Sequence, residues 1–195
     1  MKKLCRSLLA CVLFAAMSVQ AQDWPSKPIK LIVPFPAGGP TDVMARMISE
    51  RLSAKLGTMV VENRTGASGR IGVVAVKQSE PDGTTILMSP FTLMLIYPHI
   101  YRQLNYDPDA DFAPVSQVGS SPLLLMANPK LPANTLPELF ALAKSKPGEL
   151  RYSTAGQGSA IHLAGALFGE VTKTNLVQLP YKGSPPAVIA VISGE

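Results

Sequence analysis

Residues 30–46, which read KLIVPFPAGGPTDVMAR, decide the fold of this chain. The apolar run at 31–33 is short and rich in β-branched residues, which predicts a buried strand. Three prolines and two glycines at 34–40 then interrupt any regular element. From Val43 the apolar residues recur at helical spacing, so we predict a helix that Thr41 caps and that Gly57 ends. The stretch therefore predicts a strand, a turn and a helix in succession.

The turn at 35–39 has two interpretations. A strand that leads through a glycine-rich turn into a helix leaves backbone N–H groups without partners, and such groups at a helix start can bind an anion. Asp42 falls in the first helical turn, where a carboxylate suits the positive end of the helix. The alternative is an ordinary loop whose glycines only relieve strain. The local sequence favours neither interpretation over the other.

The strand–helix pattern continues beyond this stretch. Residues 59–62 predict a second strand, 71–76 a second helix and 84–88 a third strand, and this order is typical of a parallel sheet. In an open parallel sheet the loops that follow the strands share one edge, and ligands bind there. We therefore expect three polar turns to meet around one cleft: 36–39, 65–70 and 89–92.

The second half of the chain repeats the arrangement. Residues 91–101 predict a short helix interrupted at Pro98, and 115–118 and 123–127 predict extended segments. The elements predicted after them are a helix at 137–146 capped by Thr135, a strand at 150–154, a glycine-rich turn at 155–159, a helix from Ile161, a strand at 175–180 and a helix from Pro185 to Ile192. We therefore divide the chain into a first α/β lobe at 22–119 and a second at 120–195.

The N-terminus reads as an export signal. Lys2, Lys3 and Arg6 precede an apolar run at 8–17, and small residues before position 22 form a cleavage site, so we predict a signal peptide at 1–21. The run is too short to remain as a membrane span, and no later stretch approaches about 20 apolar residues. The sequence therefore predicts an exported, soluble protein.

Composition excludes several classes of function. Both cysteines, Cys5 and Cys11, fall in the predicted signal, so we expect no disulfide, no thiolate nucleophile and no cysteine metal site. The stretch before Cys11 resembles a lipoprotein cleavage box, and lipidation there stays open. Two histidines make a zinc site improbable, and no glycine pattern matches a nucleotide fingerprint. We expect no metal and no cofactor.

Charge argues against nucleic acid as a partner. The net charge is +5, but three of the 18 basic residues and none of the 13 acidic ones lie in the predicted signal. The remaining chain therefore has 15 basic and 13 acidic residues and a net charge of +2. Its basic residues do not cluster with aromatic side chains, as they do in nucleic-acid-binding proteins. We therefore expect no nucleic acid to bind.

The sequence argues against an enzyme. Ser159 and His162 are three residues apart at a predicted helix start, a spacing that could bring a hydroxyl and an imidazole together as in a serine hydrolase. A hydrolase also needs an orienting acid and an oxyanion hole, and the chain has no GxSxG turn. Lys182 is either a cation in the cleft or a solvated loop lysine. We expect this protein to bind a ligand without transforming it.

Six segments together resemble the Bug-type (TctC-like) substrate-binding proteins of tripartite tricarboxylate transporters. They occur in one order and cover nearly all of the chain that follows the predicted signal. The segments are PFPAGGPTDVMAR, VVENRTGASGRIG, PDGTTILM, YDPDADFAPVSQV, ELFALAKSKPGELRYSTAGQGSAIHLAG and LPYKGSPPAVIAVISGE.

The resemblance implies an α/β fold of two lobes, the Venus-flytrap form of type II-like periplasmic binding proteins. It implies a monomer that captures a small carboxylate between its lobes and delivers it to the inner-membrane permease subunits of the transporter. The ligand would be a di- or tricarboxylate, an acidic amino acid or an aromatic carboxylate. An exported sensor that signals to a membrane partner would use the same fold and is an alternative.

The resemblance also implies a set of site residues. Backbone groups and hydroxyls would hold the carboxylate, and side chains near Phe35 and Ser89 would set specificity. The first lobe would contribute Phe35, Pro36, Ala37, Gly38, Gly39, Asp42, Ser89 and Thr92. The second lobe would contribute Ser153, Thr154, Gly156, Ser159, His162, Tyr181, Lys182 and Gly183.

The chain is shorter than members of that family. Against their pattern, the second lobe is incomplete and the first lobe lacks its returning C-terminal part. Missing strands expose sheet edges and apolar faces, so at this length we expect low stability and weak ligand capture. A non-functional truncated fragment or a partial record is the alternative to a complete receptor.

Overall fold

The computed structural model describes residues 24–195. The predicted signal peptide at 1–21 and both cysteines lie outside the described residues. None of the helices at 24–195 combines the length and the apolar character that a bilayer crossing needs. In the same residues, no three acidic or histidine side chains are grouped so that they could hold a metal ion.

The first unit is a three-stranded parallel sheet with two crossover helices. Its elements are β1 (Ile29–Val33), α1 (Pro40–Leu56), β2 (Met59–Asn63), α2 (Arg70–Lys77) and β3 (Thr85–Leu87). The strand order is β2-β1-β3, with Val33 opposite Asn63 and Leu31 opposite Ile86. Every buried position of the central strand β1 holds an apolar residue, as expected of a strand that is covered on both faces. The predicted β-α-β-α-β order and parallel sheet are confirmed.

Helix α1 begins earlier than predicted. Its N-cap is Gly39 in extended conformation, Pro40 occupies the first turn, and Thr41 lies inside the helix. The prediction that Thr41 caps this helix is wrong. Proline suits the first helical position because its ring presets φ and its missing N–H needs no partner there. The predicted end at Gly57 is confirmed, with φ 78°.

A helical segment with a small core follows β3. A π-helical turn at Thr92–Ile96 continues into α3 (Tyr97–Ile100), so the predicted short helix is confirmed and Pro98 fits in its first turn. A second short helix, α4 (Pro108–Asp111), closes the segment. The core of this region consists of four buried residues, with Phe35 and Phe112 packed against them: Val73, Leu93, Tyr97 and Tyr106.

The second unit is a two-stranded parallel sheet with three helices. Its elements are α5 (Leu136–Ser145), β4 (Arg151–Thr154), α6 (Ala160–Thr172), β5 (Val177–Pro180) and α7 (Ser184–Ser193). Thr135 caps α5, as predicted, and accepts a hydrogen bond from the Glu138 N–H at 3.4 Å. These elements confirm the predicted second α/β unit.

The units are joined by a long irregular segment. Residues 112–128 contain neither helix nor strand, and within them Val115 and Leu124 are 84% and 81% exposed. The segments predicted to be extended at 115–118 and 123–127 therefore join neither sheet. The lobe boundary that we place between residues 119 and 120 falls inside this segment and stays a prediction.

Candidate functional site

The strand-end turns of the two units contact each other. A Cβ atom placed on Gly156 would lie 3.2 Å from the Ser68 hydroxyl oxygen, and one placed on Gly183 would lie 2.8 Å from Pro36 Cδ. Both glycines have positive φ, at 116° and 124°. Only glycine therefore suits these positions, both for backbone conformation and for space. We call this contact zone the seam. Of the first-unit turns that the sequence predicts to form a cleft, those at 36–39 and 65–70 lie along it.

Asp42 organises the first turn of the seam. It is 2% exposed, and its Oδ2 accepts hydrogen bonds from the Gly38 N–H at 2.9 Å and from Arg46 Nε at 2.9 Å. Its Oδ1 accepts from Asn63 Nδ2 at 2.9 Å. The bond from Arg46 and those from Gly38 and Asn63 outweigh burial and lower the pKa of Asp42 to about 2. The carboxylate is therefore ionised and fully engaged within the turn.

Asn63 connects this turn to the neighbouring strand. Its Nδ2 also donates to the Phe35 carbonyl oxygen at 2.9 Å, and its Oδ1 accepts from Arg46 Nη2 at 3.2 Å. Sequence reasoning missed Asn63 and Arg46. The only sequence signal for Asn63 is its place at the end of β2, beside the end of β1.

The main chain at the start of α1 offers donors. The Val43 N–H closes the first helical turn on the Gly39 carbonyl oxygen at 3.0 Å. The N–H groups of Thr41 and Asp42 precede this bond and so have no acceptor within the helix. The Gly38 N–H, by contrast, is already used by the Asp42 side chain. The donors of this turn are thus at its helical end.

The remaining first-unit residues of the expected site differ in burial. Phe35 is half-buried, and a Cβ atom on Gly69 would lie 3.1 Å from its ring. Ala37 is exposed, and Ser89 is half-buried with its hydroxyl 3.3 Å from the Pro90 carbonyl oxygen. Thr92 is 1% exposed at the start of the π-helical turn.

Two second-unit hydroxyls are engaged within their own unit. Ser153 donates to the Ala187 carbonyl oxygen at 2.8 Å, which fastens β4 to α7. The buried Thr154 hydroxyl oxygen accepts from Gln178 Nε2 at 2.9 Å and from the Gly156 N–H at 3.4 Å. These contacts hold the shape of the turn that follows β4.

Ser159 and His162 form the start of α6. The Ser159 hydroxyl oxygen caps the helix by accepting from the His162 backbone N–H at 3.2 Å. The His162 Nδ1 accepts from the Gly158 N–H at 3.2 Å. The neutral ring therefore carries its proton on Nε2, which is a donor. The serine contacts the histidine backbone rather than its ring, unlike a nucleophile and its base.

The turn after β5 completes the seam. The Tyr181 N–H donates to the Thr154 carbonyl oxygen at 2.9 Å, and its hydroxyl donates to Glu195 Oε2 at 2.8 Å. The bond to that carboxylate raises the pKa of the Tyr181 hydroxyl. Lys182 is exposed, and Gly183 is buried against Pro36.

Three seam residues were not among those expected. Ser68 stands in the left-handed region at φ 55°, an unusual conformation for a serine. Its carbonyl oxygen accepts from the Tyr97 hydroxyl at 2.9 Å. That hydroxyl and the Tyr101 hydroxyl both approach the Gln157 carbonyl oxygen. Tyr97 and Tyr101 lie in an apolar run that reads as core, so nothing local in the sequence marks them.

A depression of about 490 Å³ lies apart from these turns, between residues 94–102 and 104–109. It is lined by a mixture of apolar side chains and charges of both signs, including Arg102 and Asp109. None of the strand-end turn residues lines it. The depression is therefore not formed by these turns, although Tyr101 lines it and its hydroxyl also reaches the Gln157 carbonyl oxygen in the seam.

Comparison with known proteins agrees with the fold. The model of the tripartite tricarboxylate transporter family receptor, TctC, matches residues 44–195. Protein BugT of Bordetella pertussis is 42% identical over 181 residues, which are 92% of this chain and 56% of BugT. The chain thus spans little more than half the length of this relative.

Solved structures give the same result. Rpa4515 of R. palustris with adipate is 34% identical at a TM-score of 0.74, over 87% of this chain and 57% of that one. MatC from Rhodopseudomonas palustris with bound malate is 30% identical at a TM-score of 0.76, over 88% and 58%. The predicted periplasmic-binding-protein fold is thereby confirmed, and the family that matches is described as one of receptors rather than enzymes. This chain belongs to the tripartite tricarboxylate transporter receptor family, whose solute-binding proteins work in the periplasm.

Proposed function

We propose that this protein captures a small carboxylate at the seam between its two α/β units. The observation that carries the proposal is the meeting of glycine-containing turns from the two units, with Gly183 against Pro36 and Gly156 against Ser68. Each of these turns leads into a helix. Backbone N–H groups at helix starts favour anions. Two structural neighbours hold adipate and malate, both dicarboxylates, so a dicarboxylate is the ligand class we favour.

The donors available for a carboxylate come from both units. In the first unit they are the N–H groups of Thr41 and Asp42 at the start of α1. In the second unit the donor is the Nε2–H of His162, because Nδ1 of the same ring accepts from the Gly158 N–H. Each hydrogen bond to a charged group contributes about 1.5–3 kcal/mol, so a few of them are enough for micromolar affinity.

We propose that some of the remaining expected residues contact the ligand and that others support the turns. We propose that the ligand is contacted by residues in or beside the turns that form the seam: Ala37, Gly39, Gly156, Ser159, Lys182 and Gly183. Asp42, Ser153, Thr154 and Tyr181 have their side chains engaged in the fold, and we propose that they support the turns. Phe35, Pro36, Gly38, Ser89 and Thr92 shape the first-unit side. We further propose delivery of the ligand to the transporter's permease, in keeping with the family description.

Isothermal titration with malate and with adipate tests the binding proposal. We expect micromolar affinity for at least one of the two and no heat with the corresponding diamide, which has the same shape without the charge. A folded protein that shows no heat with either dicarboxylate at millimolar concentration would contradict the proposal. Delivery is tested separately, by malate or adipate uptake in cells with and without the gene.

A further inference from the structure

Two tyrosine hydroxyls of the first unit converge on one carbonyl oxygen of the second. The Tyr97 hydroxyl lies 3.3 Å and the Tyr101 hydroxyl 3.2 Å from the Gln157 carbonyl oxygen. Gln157 belongs to the turn between β4 and α6, which carries Gly156 and Gly158. These contacts join residues 60 and 56 positions apart in sequence.

We infer that Tyr97 and Tyr101 are positioning residues, whose hydroxyls fix the 155–159 turn of the second unit against the first and so set the width of the seam. We call Tyr97, Tyr101 and the Gln157 carbonyl the tyrosine clamp. The contacts of the clamp do not depend on a ligand. Only its effect on ligand binding rests on the proposed function.

The clamp is built on rigid parts of the first unit. Tyr97 is 0% exposed in the core cluster, and its ring packs edge-to-face on Tyr101 with centroids 4.9 Å apart. The Arg70 guanidinium lies 4.2 Å from the centre of the Tyr101 ring, a cation–π contact that holds the ring in place. Both hydroxyls therefore start from fixed positions, and the second unit provides the partner that can move.

The turn is shaped to reach the rings. A Cβ atom on Gly158 would lie 2.8 Å from Tyr97 Cε1, and Gly158 has φ 77°. The same turn supplies the Gly158 N–H that orients His162, so a change in its position also moves the proposed Nε2 donor. The clamp thus connects the core of the first unit to a proposed ligand contact in the second.

The bonds of the clamp are suited to release. Tyr97 has one hydroxyl hydrogen, and its shorter bond goes to Ser68 within the first unit at 2.9 Å. If the units separate, Tyr97 keeps that bond and loses only the longer one to Gln157. Burial raises the pKa of the Tyr97 hydroxyl, so it remains a donor across the physiological range. The clamp therefore favours the contacting arrangement without locking it.

Hydrogen exchange in phenylalanine variants tests the clamp without any ligand. We would compare wild type with Tyr97→Phe, Tyr101→Phe and the double variant, reading amide exchange in peptides that cover 155–159. Each single variant keeps its ring but loses one weak hydrogen bond to the turn, and Tyr97→Phe also loses its bond to Ser68 within the first unit. We expect exchange at 155–159 to rise about fivefold in each, and more in the double variant. Tyr106→Phe is the matched control, because its buried hydroxyl bonds Leu93 within the same unit at 2.6 Å.

Titration of the same variants with malate and adipate gives a second measure. We expect the double variant to bind at least tenfold more weakly, mainly through faster dissociation, whereas Tyr106→Phe loses thermal stability with unchanged affinity. Wild-type exchange at 155–159 in the double variant would overturn the clamp, whether or not the dicarboxylates bind. Faster exchange in the double variant than in wild type, together with a wild type that binds neither dicarboxylate, would support the clamp and overturn the proposed function. If the double variant does not fold, the two single variants decide.

Discussion

At the scale of single residues, Asp42 presents an apparent conflict, since a buried negative charge borders a proposed anion site. Its partners resolve the conflict. Arg46 neutralises the charge, while Gly38 and Asn63 use the remaining acceptor positions. The carboxylate therefore shapes the turn instead of facing the ligand. Asn63 also donates a hydrogen bond to the Phe35 carbonyl oxygen and so connects Asp42 to that end of the turn.

Replacing this carboxylate changes both stability and its pH dependence. We expect Asp42→Asn to lower the free energy of unfolding at pH 7 by about 2 kcal/mol, because an amide removes the carboxylate that pairs with the Arg46 charge and offers only one acceptor oxygen. Urea unfolding measures the change. Glu50→Gln, at an exposed position of the same helix, is the control and should be neutral.

The acid response of the wild type follows from the same group. The folded-state pKa of Asp42 is about 2, below its ordinary value of 3.8. Its contribution to stability is therefore present above pH 4 and is lost as the pH falls from about 4 to about 2. Asp42→Asn should remove this part of the acid destabilisation. Equal slopes for the two proteins in unfolding series over that range would contradict the assignment.

His162 offers a test that separates its two ring nitrogens. Asparagine can replace Nδ1 as the acceptor for the Gly158 N–H but lacks a donor at the position of Nε2. We therefore expect His162→Asn to keep the thermal stability of wild type and to bind the preferred dicarboxylate about tenfold more weakly. Calorimetry and thermal melts measure both. Unchanged affinity would remove Nε2 from the proposed ligand contacts.

At the scale of elements, the ends of helices connect the turns to the rest of the fold. The C-terminal end of α7 is capped by Asn128, whose Nδ2 donates to the carbonyl oxygens of Val191 at 2.8 Å and Ile192 at 3.0 Å. The other end of α7 begins at Gly183, in the seam. The irregular segment between the units thus fastens a helix whose start borders the proposed site.

Two substitutions at this cap should differ in size. Asn128→Ala removes both donors and should cost about 1 kcal/mol in unfolding free energy. Asn128→Asp keeps the acceptor for the Lys130 N–H at 2.9 Å but places a negative charge beside two carbonyl oxygens at the negative end of the helix. We expect it to be the more destabilising of the two by about 1 kcal/mol. An unfolding midpoint of Asn128→Ala equal to that of wild type would show that the cap contributes little. Equal midpoints for the two variants would contradict the effect of the added charge.

At the scale of the whole molecule, no strand of one sheet pairs with a strand of the other within residues 24–195. The two units meet through strand-end turns and through the contacts of Tyr97 and Tyr101 with Gln157. Gly183 packs tightly against Pro36 of the other unit, since a Cβ atom on Gly183 would lie 2.8 Å from Pro36 Cδ. The seam therefore depends on small residues that allow two backbones to approach closely.

A pair of glycine variants tests the seam. Gly183→Ala places a methyl group against Pro36, so we expect the units to separate, with a larger radius of gyration in small-angle scattering and weaker dicarboxylate binding. Gly57→Ala is the control, because Gly57 also has positive φ but a Cβ atom there meets nothing within 4 Å. It should lose about 1 kcal/mol of stability with unchanged size. An unchanged radius in Gly183→Ala would contradict a tight seam.

Much of the architecture was predictable because its signals are local. Apolar periodicity, prolines and glycines define the strands and helices and give the parallel order of the first sheet. Thr41 was assigned as a cap wrongly because its side chain suits that position, while the preference of Pro40 for the first helical turn moves the start by two residues. The irregular course of 112–128 was also beyond local patterns, since strand formation requires a partner strand.

The sequence by itself determined where each unit has its strands and which turns follow them. Tertiary structure decided which polar groups in those turns remain available. The Asp42 carboxylate bonds Gly38 and Arg46, four positions away, but also Asn63, 21 positions away. The Gln157 carbonyl is held by tyrosines more than 50 positions away. Secondary structure arises from neighbours along the chain, whereas the partners of a buried polar group are set by packing between distant segments. No local pattern encodes that pairing.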